Sequence, residues 1–253
     1  MRATDPRITI AEPNSPPGGT KGIGRAIVSS FLAEGATVHF CSRTAADRDP
    51  SHPADRAISA TVDVAQPSQV ASWVTSCASQ SGRIDAVVAN VSALAISNDE
   101  AAWQGAFATD LMGTRALVDA ALPYLEVSKG NIVTIASVSG RVLDFTALPS
   151  PYGPMKAALI HYTAQLARTG APKGIRANTV SPGNIYVEDG VWGNVEREQP
   201  DFFKKQWAEN PLGRMGRAEE VADAVVFLAS KRAGFVTGAN MLVDGGLSQG
   251  IQF

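Results

Sequence analysis

Short apolar or β-branched runs take turns with longer stretches of helical period along this chain, and that alternation limits its fold more than any other feature. "ATVHFCS" (36–42), "SATVDV" (59–64), "IDAVVAN" (84–90), "NIVTIAS" (131–137), "IRANTV" (175–180) and "NMLVD" (240–244) read as strands. Helical patterns lie between them. Ile23, Ile27 and Phe31 repeat before a stop at Gly35, and Val70, Trp73, Val74 and Cys77 share one face of 67–81. A long helix runs over 99–126 through Trp103, Phe107, Leu111, Leu117 and Leu122, another covers 151–169, and "AEEVADAVVFLAS" forms the last. Strands alternating with helices predict a parallel sheet wrapped on both faces, a doubly wound α/β fold. Residues 44–60 are polar and broken by Pro50 and Pro53, so they read as a loop, and 184–216 has no clean period. With no internal repeat and no linker, 1–253 reads as a single domain.

The start of the chain is the exception to this order. "RITIA" (7–11) is the only candidate for a strand ahead of the first helix, and Pro13, Pro16 and Pro17 follow it. Proline has no N–H for a sheet ladder. Either "RITIA" pairs in the sheet and a proline loop bridges onward, or the natural first strand has been replaced.

Composition excludes several classes of function. The chain has 22 Lys and Arg against 24 Asp and Glu, a net charge of -2, which offers no footprint for nucleic acid or an acidic membrane surface. The two cysteines, Cys41 and Cys77, and the scattered His39, His52 and His161 make no ligand cluster, so no metal site is expected. The first thirty residues lack a continuous apolar core, and no apolar run is long enough to span a bilayer. A reduced, cytoplasmic setting is the expectation.

Two motifs carry chemistry. Gly18, Gly22 and Gly24 open the helix that begins near Ile23. Glycines let the backbone turn tightly and approach a pyrophosphate, whose charge sits on the free N–H groups at the helix start. About twenty residues further on, where a ribose is read, stands Arg43 rather than an acid, and Lys21 adds a second cation nearby. Together they favour NADP(H) over NAD(H). The second motif is "PYGPMKAAL", with Tyr152 and Lys156 one helical turn apart on the same face. An ammonium beside a phenol favours the ionised phenol, which can then exchange a proton with a carbonyl oxygen as hydride moves at the neighbouring carbon.

The order GGTKGIG, "VDV", "AN", "ASVSG", YGPMK, "SPGNI" and "VTGANMLVDGG" resembles the classical short-chain dehydrogenase/reductases over about residues 18–253. The resemblance implies a Rossmann-like sheet of about seven strands, NAD(P)(H), and carbonyl–alcohol interconversion on a small molecule by a homo-oligomer, a dimer or tetramer. It casts Tyr152 as acid/base, Lys156 as its modulator and a ribose ligand, and Ser137 as a hydrogen-bond donor to the substrate oxygen. Asp63, Val64 and Asn90 fall on adenosine-side cofactor contacts, and Pro182, Gly183 and Ile185 on the nicotinamide side.

The chain departs from the family in places. Ala89-Asn90-Val91-Ser92 stands where Asn-Asn-Ala-Gly is usual, so one amide is kept. A proline, Pro17, replaces the usual threonine. Asp110 of "TDLMGT" aligns with the asparagine that completes the family's catalytic group, largely through its backbone carbonyl. An aspartate there could preserve the relay or retune the tyrosine. Tyr186, Trp192, Phe202, Phe203 and Trp207, with Leu143, Phe145 and Leu148, suggest an apolar lid over a moderately large substrate, with 184–216 as the lid segment. The competing class is a cofactor-shaped protein without redox activity, a scaffold, a regulatory partner or one recruited to a non-redox reaction, which damage at the first strand would favour.

Overall fold

The computed structural model describes residues 6–11, 22–44, 51–142 and 149–249. Pro13, Pro16, Pro17, Gly18 and Lys21, together with Leu143, Phe145 and Leu148, lie outside the described residues. Nine strands are described: β1 (Arg7–Ala11), β2 (Thr37–Ser42), β3 (Ala57–Thr61), β4 (Ala86–Ala89), β5 (Asn131–Ile135), β6 (Arg176–Pro182), β7 (Ile185–Tyr186), β8 (Gly216–Arg217) and β9 (Asn240–Val243). The helices are α1 (Ile23–Ala33), α2 (Pro67–Ser81), α3 (Glu100–Ala106), α4 (Thr114–Ser128), α5 (Tyr152–Gly170), α6 (Val191–Glu198), α7 (Pro200–Ala208) and α8 (Ala218–Ala229).

Seven strands form one parallel sheet in the order β3-β2-β1-β4-β5-β6-β9. From β1 the chain builds outward through β2 and β3, then returns to the other side of β1 and builds through β4, β5 and β6. The reversal leaves a crevice at the carboxyl ends of β1 and β4, the place where doubly wound sheets take ligands. "RITIA" is the strand at that reversal. It pairs with β2 on one side and β4 on the other, and Ile8 and Ile10 are buried to 2% and 0% exposure. Of the two alternatives for the opening stretch, pairing in the sheet is the one observed.

Two apolar layers flank the sheet. Ile8, Ile10, Val38, Val88 and Val180 pack under α1 and α8, whose Ile27, Phe31, Val221, Val225 and Leu228 complete that side. Val87, Ile132 and Ala177 face the other way, toward Val70, Val74 and Cys77 of α2 and Leu117, Ala121 and Leu125 of α4. Each fully buried aliphatic side chain of this kind stabilises the fold by about 1.5–3 kcal/mol.

Three expectations need correction. The segment 44–60 is not loop throughout: β3 begins at Ala57, earlier than the "SATVDV" reading, because it pairs with Val38 to Ser42 of β2 at the outer edge of the sheet. An edge strand exposes one face, so its polar residues hide the strand period. The long helix is helical throughout, from Glu100 to Ser128, but not regular: Phe107–Gly113 form a π-turn between α3 and α4. Finally, 184–216 contains α6, α7 and the short parallel pair β7-β8. Trp192 and Phe202 do not share a helix, which is why no single period ran through the segment.

Candidate functional site

The residues singled out in the sequence gather at one edge because each follows the carboxyl end of a parallel strand. Arg43 follows β2, Asp63 and Val64 follow β3, Asn90 follows β4 and Ser137 follows β5, while Pro182 ends β6. Their order across the sheet is that of the strands themselves.

Tyr152 is the first residue of α5, and Lys156 lies one turn on. The Lys156 ammonium sits 5.5 Å from the centroid of the Tyr152 ring. Tyr152 is half-buried, whereas Lys156 is only 2% exposed. What brings Ser137 to them is a close backbone approach. Ser137 caps the 3-10 turn Val138–Gly140, its Oγ accepting from Ser139 N–H at 3.1 Å. A Cβ on Gly140 would lie 2.8 Å from Ala157 N, and one on Gly153 would lie 2.8 Å from Ser139 O. Only glycine at both positions lets this turn press against the first turns of α5. Neither glycine was singled out in the sequence. Because the Ser137 oxygen already accepts, its own proton remains to be donated elsewhere.

Asp110 lies in the π-turn, where the wider spacing aims its side chain inward. Its Oδ1 is 2.9 Å from Lys156 Nζ, and both side chains are almost wholly buried. That contact is an ion pair lying off hydrogen-bond geometry, whereas Oδ2 accepts squarely from Ala93 N–H at 2.7 Å. Lys156 Nζ donates to the Val91 carbonyl at 3.1 Å. The backbone groups of Val91 and Ala93 carry no sequence signal at all. Gly113, at the end of the π-turn, sits against β3's extension, where its Cβ would be 2.9 Å from Val64 O.

The crevice itself has the features of a cradle. Gly22 opens α1 at φ 85°, in the left-handed region that favours glycine, and Val187 methyls lie 3.8–4.0 Å from where its Cβ would be. The first N–H groups of a helix have no partner within it, and in α1 the intrahelical bonding starts with Ala26 N–H to the Gly22 carbonyl at 3.1 Å, so those of Ile23 and Gly24 face this turn. Asn90 Nδ2 is buried with no partner among the described residues, a donor lacking an acceptor. Arg43 is exposed at the end of β2. Asp63 uses one carboxylate oxygen to accept from Ala65 N–H at 3.0 Å. The Ile185 side chain packs into the core with Ala218 and Val221, and the partly buried Ile23 side chain packs against the same cluster. Val187, beside Gly22, was not anticipated.

Beyond β7 the aromatic residues pack on one another. Tyr186 meets Phe203 and Trp207 edge-on at 6.0 and 6.5 Å, and Trp192 stacks on Phe202 at 6.4 Å. Tyr186 Oη donates to Glu196 Oε2 at 2.6 Å, which raises the phenol above its ordinary pKa. Buried Asn184 reaches the Gln206 carbonyl at 3.5 Å, linking the end of β6 to α7. At the far end of this segment Arg214 and the Arg217 N–H hold Glu220, whose carboxyl is pulled down to about 2.

Among the described residues no helix is long and apolar enough to cross a membrane. The family described as Enoyl-(Acyl carrier protein) reductase matches residues 18–248. Isoepoxydon dehydrogenase patN of Penicillium expansum is 40% identical over 245 residues, covering 93% of this chain and 94% of that protein. L-fucose dehydrogenase of Mus musculus is 36% identical over 245 residues, covering 92% of this chain and 87% of that protein. The solved structure "ElxO with NADP Bound" superposes with a TM-score of 0.80 at 25% identity, covering 96% of this chain and 98% of that one. The family match over residues 18–248 and the extent of these likenesses show that the chain belongs to the short-chain dehydrogenase/reductase family, oxidoreductases acting on CH–OH groups.

Proposed function

We propose that this chain is an NADP(H)-dependent oxidoreductase interconverting a carbonyl and an alcohol on a moderately large apolar molecule, with Tyr152 as acid/base assisted by Lys156 and Ser137. The observation that carries the reading is the buried Lys156 ammonium 5.5 Å from the Tyr152 ring, at the ligand edge of the sheet. The residues present fit a dinucleotide. The Asn90 Nδ2, without a partner among the described residues, offers a donor on the adenosine side, together with Asp63 and Val64. The turn of Gly18, Lys21, Gly22, Ile23 and Gly24 would hold the pyrophosphate, and Arg43 would pair with a 2′-phosphate. Pro182, Gly183 and the Ile185 backbone would flank the nicotinamide, and Tyr152 and Lys156 would reach its ribose. When bound, the reduced cofactor supplies a hydride to the carbonyl carbon.

The chain's own residues manage the proton. In the reducing direction the Tyr152 hydroxyl gives its proton to the carbonyl oxygen, and in the oxidising direction the phenolate takes it back. Lys156 stabilises the phenolate by its charge. Ser137 donates a hydrogen bond to the oxygen on which negative charge develops. The aromatic residues of 186–207 supply the apolar character assigned to the substrate. The two relatives are named for isoepoxydon and for L-fucose, which supports alcohol–carbonyl chemistry without selecting a substrate. β9, the outermost strand on its side of the sheet among the described residues, with exposed Phe235 and Leu212, supports assembly as a homo-oligomer. The buried thiols of Cys41 and Cys77, the latter pushed up to about 12 by burial, suit a cytoplasmic location. The non-redox alternative drew on a damaged first strand, and the pairing of β1 on both sides removes that ground.

The test is NADPH oxidation followed against a panel of carbonyls, with Tyr152→Phe alongside. Loss of the proton donor is expected to cut turnover about 10²–10⁴-fold while NADPH still binds. A variant that kept most of the wild-type rate would end the redox assignment.

A further inference from the structure

Lys156 holds a buried ammonium in a site where its charge matters for Tyr152, yet its nearest charged neighbour is Asp110, at 2.9 Å. The charged and titratable groups around the pair are few among the described residues. Tyr152 shares α5 with Lys156. The segment after β4 (Asn90 to Ala93), the 138–140 turn and the end of β6 (Pro182 to Asn184) bring none. Arg141 beyond that turn is exposed, and Asp63, beyond Val64, is turned onto Ala65 N–H. The Lys156 field is therefore divided between Asp110 and the phenol.

We infer that the Asp110 side chain is a positioning residue for the proposed proton transfer: its carboxylate is the resident counter-ion of Lys156 and, through Ala93, holds the 91–93 segment against α5. The two oxygens do separate work. Oδ2 accepts the Ala93 N–H at 2.7 Å, a bond that an asparagine oxygen could make equally well. Oδ1 faces Lys156, and there the negative charge is the difference. With that charge present, an ionising phenol competes for an ammonium that already has a partner. Without it, the phenolate becomes the counter-ion of Lys156, and Tyr152 ionises at lower pH. A carboxylate here thus sets the working range of the site toward higher pH than an amide would. The inference rests on the reading of Tyr152 as the proton donor.

Ionisation can be read without turnover. The full-length protein carrying ¹³C at the tyrosine ζ position is titrated with and without NADPH, and the Tyr152 signal is assigned by its loss in Tyr152→Phe. Asp110→Asn is expected to lower the Tyr152 midpoint by about one pH unit. Asp110→Ser, which removes the same charge with a smaller side chain, is expected to shift it the same way, and Asp110→Glu to restore the wild-type value. Where activity is found, the alkaline limb of kcat/KM for carbonyl reduction, and the acid limb for alcohol oxidation, moves with the midpoint. Midpoints in the Asn and Ser variants that match the wild type overturn the inference, whatever the turnover shows. Full turnover by Tyr152→Phe would instead remove the catalytic reading and leave this titration as measured.

Discussion

Replacing Gly140 by alanine puts a methyl group where the structure admits only backbone. The new Cβ would lie 2.8 Å from Ala157 N, 2.9 Å from Lys156 C and 3.1 Å from Ile160 Cδ1. Ordinary van der Waals contact for a Cβ starts near 3.4 Å, so the turn and α5 must part by about 0.5–0.6 Å. Ile160 can rotate away, but the other two atoms belong to the backbone of a 19-residue helix and cannot. Overpacking of this kind costs about 1–3 kcal/mol. For a domain of this size that is a fall in Tm of about 2–12 °C. The displaced piece carries Ser137 away from Tyr152. A misplacement of about 1 Å can cost about 10²-fold in rate, so roughly half that displacement is expected to cost about tenfold in kcat/KM. Thermal unfolding and steady-state kinetics of Gly140→Ala check both numbers. A variant with wild-type Tm and kcat/KM would refute the close-approach argument for how Ser137 is positioned.

Three other outcomes are expected. Arg43→Ala should lower NADPH affinity and leave NADH affinity almost unchanged in calorimetric titration, because only the 2′-phosphate needs that charge; an unaltered ratio of the two would count against NADP(H). His39 is buried in β2 against Ser81 Oγ at 2.6 Å, and burial, then the charge of Arg7, lowers its pKa. The unfolded chain then binds a proton that the folded one refuses, so stability is full above about pH 6.5 and falls as pH drops toward the folded value, by at most about 1.4 kcal/mol per pH unit. His39→Gln should flatten that part of the Tm–pH curve. Thr163→Val breaks a buried chain in which Thr134 Oγ1 meets Thr163 at 2.7 Å and Thr179 at 3.1 Å, tying α5 to β5 and β6. It should destabilise by about 1–3 kcal/mol, visible as a lower midpoint in urea unfolding at unchanged slope.

The alternation of strands and helices was legible because each buried strand is a short apolar run and each helix shows one apolar face. α2 was bounded at 67–81 from sequence, since Val70, Trp73, Val74 and Cys77 all turn inward. Tyr152 and Lys156 were legible for a related reason: their spacing is a helical one. The rest depended on atoms that a one-letter code does not carry. Val91 and Ala93 act through a carbonyl and an N–H, so any residue at either position would write the same contact. Gly140 and Gly153 work by having no Cβ against a neighbouring backbone, which nothing local reveals. The sequence leaves "RITIA" between two alternatives because the prolines after it dominate the reading, yet its five residues alone meet both neighbours. The broken period of 184–216 hid two helices because each is short and they meet at Pro200, which starts the second.

The π-turn at Phe107–Gly113 means that the helical stretch from Glu100 to Ser128 carries one residue more than a regular helix of its length would need. Removing any one residue from that turn would let α3 and α4 join into an unbroken helix with better backbone bonding. It would also swing one half about 100° relative to the other, carrying either Asp110 or Leu117 off its present face. The chain therefore keeps a locally inferior helix as the condition for presenting Asp110 to α5 and Leu117 to the core at once. Stabilising substitutions chosen for helix propensity alone would press on this surplus residue. A surface loop can gain or lose a residue at little cost, but the length of this one helix is a digit that cannot be rounded.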